Sequence, residues 1–133
     1  MKLKIRYADH VEAVNAEQVG DNYQLKGHSM FLPLAPGDVV RAENGVVTGV
    51  VELAPVFMVE VYFAINTPAE HVVSWAKEWR AATDVTQPTN LTLLISSRSR
   101  QWIEEVVQPH VWWVELIRVP GQEFNFNAAV TKA

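Results

Sequence analysis

The sequence predicts an α+β protein: an N-terminal antiparallel β-sheet or partial barrel over residues 1–54, followed by a β-α-β-α-β half over 55–133 that shares one core with it. Three observations carry this. Asn44-Gly45 lies between two β-branched runs, Val39-Val40 and Val46-Val47, and Asn-Gly accepts the positive φ that a type I′ hairpin needs at both central positions. Lys2 to Tyr7 alternates strictly between polar and apolar residues, the period of a half-buried strand. Beyond Ala54-Pro55 the period changes, and Val72, Trp75, Ala76, Trp79 and Ala82 recur at helical spacing.

In chain order, Leu3, Ile5 and Tyr7 form the inner face of the first strand, and Lys2, Lys4 and Arg6 its outer face. Val14 to Val19 and Tyr23 to Lys26 read as a strand pair turning at Gly20-Asp21-Asn22. Met30 to Leu34 is apolar but contains Pro33, which suits an edge or a connector. Pro36-Gly37-Asp38 then turns the chain into the hairpin of residues 38–52.

In the second half, Phe57 to Ile65 is a nearly continuous apolar strand interrupted by Glu60. Thr67-Pro68-Ala69-Glu70 has the form of a capping box with proline at the first helical position, which predicts a helix from about Pro68 to Thr83. Pro88 shapes the next loop, and Leu91 to Ile95 reads as a short buried strand. A second helix starts after Ser97 or Ser99 and ends before Pro109, with Trp102, Ile103, Val106 and Val107 inward. Val111 to Val119, apolar on both faces, predicts a central strand, and the tail with Phe124 and Phe126 an added edge strand before it frays.

The composition narrows the functional classes. Of 133 residues, 49% are hydrophobic and 20% charged, which supports a packed core. The formal net charge of −4 offers no long-range attraction to nucleic acid or an anionic membrane, and favours a basic protein partner. Without cysteine there is no disulfide, thiolate nucleophile or cysteine-based zinc site. Met1-Lys2-Leu3-Lys4-Ile5-Arg6-Tyr7 lacks the apolar region of a signal peptide, and no apolar run reaches the roughly 18 residues that span a bilayer. The expectation is a cytoplasmic protein.

Two groups of residues stand out as sites. Ser97, Arg98, Ser99 and Arg100 lie between a buried strand and a helix, where backbone N–H groups, hydroxyls and two guanidinium groups suit a phosphate or carboxylate. The competing reading is a serine cap beside solvated arginines. Met30, Asp38, Glu43 and Trp113 are the candidate contacts with a protein partner, Trp113 because the Trp112-Trp113 pair must send one indole to each face of its strand; the competing reading, the favoured one for a large aromatic, has the N-terminal sheet bury it. Met30 adds an adaptable apolar side chain.

Glu60 and Glu115 each interrupt an apolar strand. If their strands are neighbours, the two carboxylates meet and could act as an acid/base pair; otherwise each faces solvent or pairs with an arginine such as Arg118 or Arg41. His10, His28, His71 and His110 show no metal-ligand spacing, and Ser29 beside His28 is not a triad, so neither metal nor cofactor is expected.

Glu12, Ala16, Gly20-Asp21-x-Tyr23-x-Leu25, Met30-Phe31-Leu32 and Pro36-Gly37-Asp38-Val39-Val40-Arg41-Ala42-Glu43 follow one another in an order that resembles a family of small bacterial proteins known only as a domain of unknown function. The resemblance covers residues 2–65. It implies a fold rather than an activity, and the polar Ser-Gly-His-Ser-Thr-like segment of that family is replaced here by Glu52-Leu53-Ala54-Pro55-Val56-Phe57-Met58.

The missing catalytic signature, the paired tryptophans and the negative charge together predict a non-enzymatic protein-binding module, of the kind an immunity-type or anti-defence inhibitor represents. The alternatives are a small anionic-ligand or phosphate-binding protein, an enzyme included, at Ser97 to Arg100, and a homo-oligomer sealed along an edge strand.

Overall fold

The computed structural model describes residues 1–30, 32–83 and 92–126. Phe31, Pro88, Leu91 and the tail past Phe126, on which some of the expectations above fall, lie outside them. The protein is mixed α and β, and its chain divides into two compact units: residues 1–55 with 121–133, and residues 56–120.

The first unit is a closed barrel of five strands in sequence order: β1 (Lys2–Tyr7), β2 (His10–Val19), β3 (Asn22–Leu25), β4 (Val39–Glu43) and β5 (Val46–Glu52). Neighbours pair antiparallel from β1 to β5, Lys2 opposite Asn15 and Tyr7 opposite His10 in the first ladder. The barrel closes where β1 meets β5 in parallel, Lys4 opposite Val46 and the Lys4 N–H donating to the Gly45 carbonyl at 2.8 Å. Closure leaves no strand of this sheet at an edge. Two register shifts along β4, between Val39 and Val40 and between Arg41 and Ala42, add the local bend that such curvature requires.

Alternation decides which side chains enter the barrel. Leu3, Ile5, Val14, Ala16, Leu25, Val40 and Val47 are buried together, while Lys2, Lys4 and Arg6 are exposed. Asn44 (φ 53°) and Gly45 (φ 77°) make the expected hairpin turn. The connector between β3 and β4 sends Leu32 and Leu34 into the same core. Phe126 joins them with Phe124 beside it, so the described part of the tail fills the barrel's apolar cluster and adds no strand.

Asp38 fastens that connector. It is fully buried, and its two carboxylate oxygens accept from the Ala35 N–H at 2.8 Å and the Ala54 N–H at 2.7 Å. Its own carbonyl accepts from Leu25 N–H at 2.8 Å. One residue thus ties the end of β3, the turn before β4 and the exit of β5. Gly37 before it has φ 98°, and a Cβ there would lie 3.2 Å from the Ala54 methyl, so the turn calls for glycine.

The second unit is a four-stranded sheet in the order β7-β8-β6-β9, antiparallel at every junction: β6 (Phe57–Tyr62), β7 (Ala82–Thr83), β8 (Thr92–Ser97) and β9 (Trp113–Arg118). Helix α1 (Ala69–Glu78) lies between β6 and β7 in the chain. Between β8 and β9 the helical segment begins as α2 (Arg100–Trp102), widens into a π-helical turn (Ile103–Val107) and tightens into a 3-10 turn (Gln108–His110). Val59, Val61, Phe63, Leu93 and Ile95 on one sheet face pack with Val72 and Trp79 of the first helical region and Ile103 and Val107 of the second. The inward and outward residues of both segments follow the apolar stripes of the sequence.

Three local expectations are corrected. The first helix ends at Glu78 and not near Thr83, because Ala82 and Thr83 pair with Leu94 and Leu93 as strand β7. Pro68, not Thr67, occupies the position before α1 and no side chain caps it; the helix starts one residue later, and the Thr67 N–H donates to the Ala64 carbonyl at 2.9 Å. The strand expected centrally at 111–119 is β9, at the outside of the sheet: its apolar residues on both faces reflect exposure, Trp112, Trp113 and Leu116 being 75%, 55% and 52% exposed.

Replacing Asp38 with Asn substitutes an N–H donor for one of two acceptors that face buried backbone N–H groups. We expect a loss of roughly 2–4 kcal/mol by urea unfolding. Trp79→Ala should cost about 3–5 kcal/mol in the same measurement, through the space it leaves between α1 and the sheet.

Candidate interaction surface

The fold brings Glu60 and Glu115 directly opposite each other on neighbouring strands, with Tyr62 opposite Trp113 one step along the same face. This face of β6 and β9 is the one turned away from α1, since Val59, Val61 and Val114 of the opposite parity pack with the helices. The indole N–H of Trp113 donates to Glu115 Oε2 at 3.0 Å. Burial pushes the Tyr62 hydroxyl above its ordinary ionisation range, the charge of Glu60 and its hydrogen bond with Tyr62 push it further, and Glu115 adds to the effect. Farther along, Met58 and Arg118 are buried, and Arg118 Nη1 donates to Met58 Sδ at 3.9 Å.

No strand among the described residues pairs with the outer edge of β9. Within β9, Leu116 projects to one face and Trp113 and Glu115 to the other, and Trp112, just before the strand, is exposed as well.

The other residues singled out from the sequence sit elsewhere. Met30 is exposed, and its backbone N–H donates to Glu12 Oε2 at 2.9 Å. Glu43 is exposed at the end of β4 beside the Asn44-Gly45 turn. Asp38 is corrected from a partner contact to an internal one: with no exposed surface and both oxygens bonded to backbone, it has nothing to present to another protein.

At the strand-to-helix turn, the Ser99 hydroxyl accepts from the Trp102 N–H at 3.1 Å and so caps α2, as one reading of the sequence had it. Ser97 Oγ accepts from the Ser99 N–H at 3.1 Å and donates to the Ser99 carbonyl at 3.3 Å. Arg100 pairs with Glu104 at 3.1 Å, one helical turn on, and Arg98 is exposed. These contacts are those of a helix start.

A polar cluster in the barrel unit escaped sequence reasoning. The buried Ser29 hydroxyl donates to Glu12 Oε1 and accepts from the Leu32 N–H at 3.0 Å, while burial lowers the His28 imidazole to about 4 against the opposing pull of Asp38. Glu12 and Ser29 are 17 residues apart and follow no period, so nothing local announces their meeting. In the second unit, His71 and His110 lean on Trp75, with ring centroids 5.6 and 5.0 Å away, and Trp75 stacks between Phe63 and Trp79 at 5.6 Å each. Among the described residues no group of three or more His, Asp or Glu is placed to hold a metal ion, and no helix is long and apolar enough to cross a membrane.

The fold is similar to a crystal structure of a hypothetical protein from Neisseria gonorrhoeae, with a TM-score of 0.53 and 16% identity over 76% of this chain and 77% of that one. At that identity the likeness shows the fold. No family model and no curated protein match the chain.

The His28 shift fixes a sign for pH dependence. The unfolded state takes up a proton near 6.5 and the folded state near 4, so this residue's stabilisation is complete above pH 6.5 and lost as the pH falls from there to about 4. The full loss is on the order of 3 kcal/mol. Thermal melts at intervals between pH 7.5 and 4 should show it, and His28→Gln should flatten that part of the profile.

Proposed function

We propose that this chain is a non-enzymatic protein-binding module that engages its partner along β9. The observation carrying this reading is an outer strand that keeps Trp112, Trp113 and Leu116 largely exposed beside an edge that no described strand covers. Large aromatics cost free energy in water and contribute most to binding when a partner buries them. A strand edge offers backbone hydrogen bonds as well, and strand addition uses both.

The negative charge favours a basic partner, and an inhibitor of the immunity or anti-defence type, covering a basic functional surface, is the form of binding module that fits best. Trp113 is the central residue of this reading. Met30 and Glu43, both exposed in the barrel unit, extend the list of contacts to test.

The test is a comparison of wild type with a Trp113→Ala, Leu116→Ala variant whose circular dichroism and melting temperature match. Wild type should retain a stoichiometric partner from the native host at low salt, and the variant should bind it roughly 30-fold more weakly or worse. Failure of wild type to retain any partner at low salt, or equal retention by both forms, would overturn the proposal.

A further inference from the structure

We infer that the partner reaches β9 as an extended segment carrying an arginine, whose guanidinium lies over Trp113 and Tyr62 between the carboxylates of Glu60 and Glu115. This rests on the binding-module reading above and names the chemistry of what binds there.

Like charges directly opposite each other on neighbouring strands are destabilising, yet Glu60 and Glu115 are cross-strand partners. Neither forms an ion pair with a described residue. The cation farther along the face, Arg118, is buried against Met58. The arrangement therefore carries a repulsion that a cation arriving from outside would relieve.

The aromatics give that cation a shape. Trp113 and Tyr62 are the adjacent cross-strand pair, and Trp113, held to Glu115 by its indole N–H, stays 55% exposed beside a carboxylate. Aromatic faces attract cations, and a planar guanidinium can stack on a ring while donating two parallel hydrogen bonds to a carboxylate. An ammonium makes the charge contact without the stack, so arginine suits the site better than lysine.

The edge of β9 that no described strand covers gives it a route. A strand added beside β9 continues the ladder with its side chains alternating between faces, and the residue placed opposite Glu115 shares a face with Glu115, Glu60, Trp113 and Tyr62. An arginine there reaches Glu115 directly and Glu60 across the strand.

The probes are capped five-residue peptides, Thr-Val-Arg-Val-Thr and the same peptide with glutamine or lysine at the centre, titrated into the full chain and followed by tryptophan fluorescence and the indole N–H resonances. The arginine peptide should bind roughly tenfold tighter than the glutamine one, with lysine between them and the gap closing as salt rises. Glu60→Gln combined with Glu115→Gln, which keeps the side-chain shape, should erase the gap between the arginine and glutamine peptides. Equal binding of the arginine and glutamine peptides overturns the arginine inference and leaves the binding module standing. If no peptide moves the Trp113 resonance at millimolar concentration, the arginine inference fails, while the binding module stands or falls by partner retention in the comparison above. A dimer that forms without peptide and buries the same indole identifies a second copy as the occupant and also overturns the inference.

Discussion

The barrel unit depends on the carboxylate of Asp38. A connector that leaves one strand, turns through Gly37 and enters the next must satisfy backbone N–H groups that no ladder reaches. Asp38 does this for Ala35 and Ala54 at once, with its own carbonyl receiving the end of β3. The same burial that makes these bonds strong keeps water from replacing them, and it holds the neighbouring His28 neutral. Glu12 and Ser29 extend the arrangement to the start of the connector, where Glu12 receives both the Ser29 hydroxyl and the Met30 N–H.

The second unit is organised around β6. It pairs with β8 on one side and β9 on the other, and its Val59 and Val61 meet the helices. β9 lies on one side of it, with one edge paired to β6 and the other paired with no described strand. The unit thus presents an aromatic and acidic strip that is rigid on its inner side, because the ladder to β6 fixes the spacing of Glu60, Tyr62, Trp113 and Glu115. Rigid positioning of exposed side chains lowers the ordering cost of binding.

Much of the secondary structure was legible in the sequence. The alternation in Lys2 to Tyr7, the Asn44-Gly45 turn, the Val72/Trp75/Ala76/Trp79 stripe and the Ser99 cap each rest on contacts a few residues apart or on one amphipathic face, and such signals survive without tertiary context. Where the boundary of an element was at stake, reading failed: Thr67-Pro68-Ala69-Glu70 has the form of a capping box, yet the helix begins after Pro68 with no side-chain cap. Asp38 had the same residue type and turn context as an exposed contact, and only its surroundings make it internal.

The sequence by itself determined an α+β chain, the position of most strands and both helical segments, an acidic and cysteine-free composition, and the two carboxylates and two tryptophans that break or crowd their strands. Tertiary structure decided that five of the strands close into a barrel, that β9 is an outer strand, and that Glu60 faces Glu115 across a ladder. The physical reason is that periodicity reports which side of a strand is apolar, whereas strand order depends on pairings between segments some 55 residues apart, and no local pattern encodes which partner an edge receives.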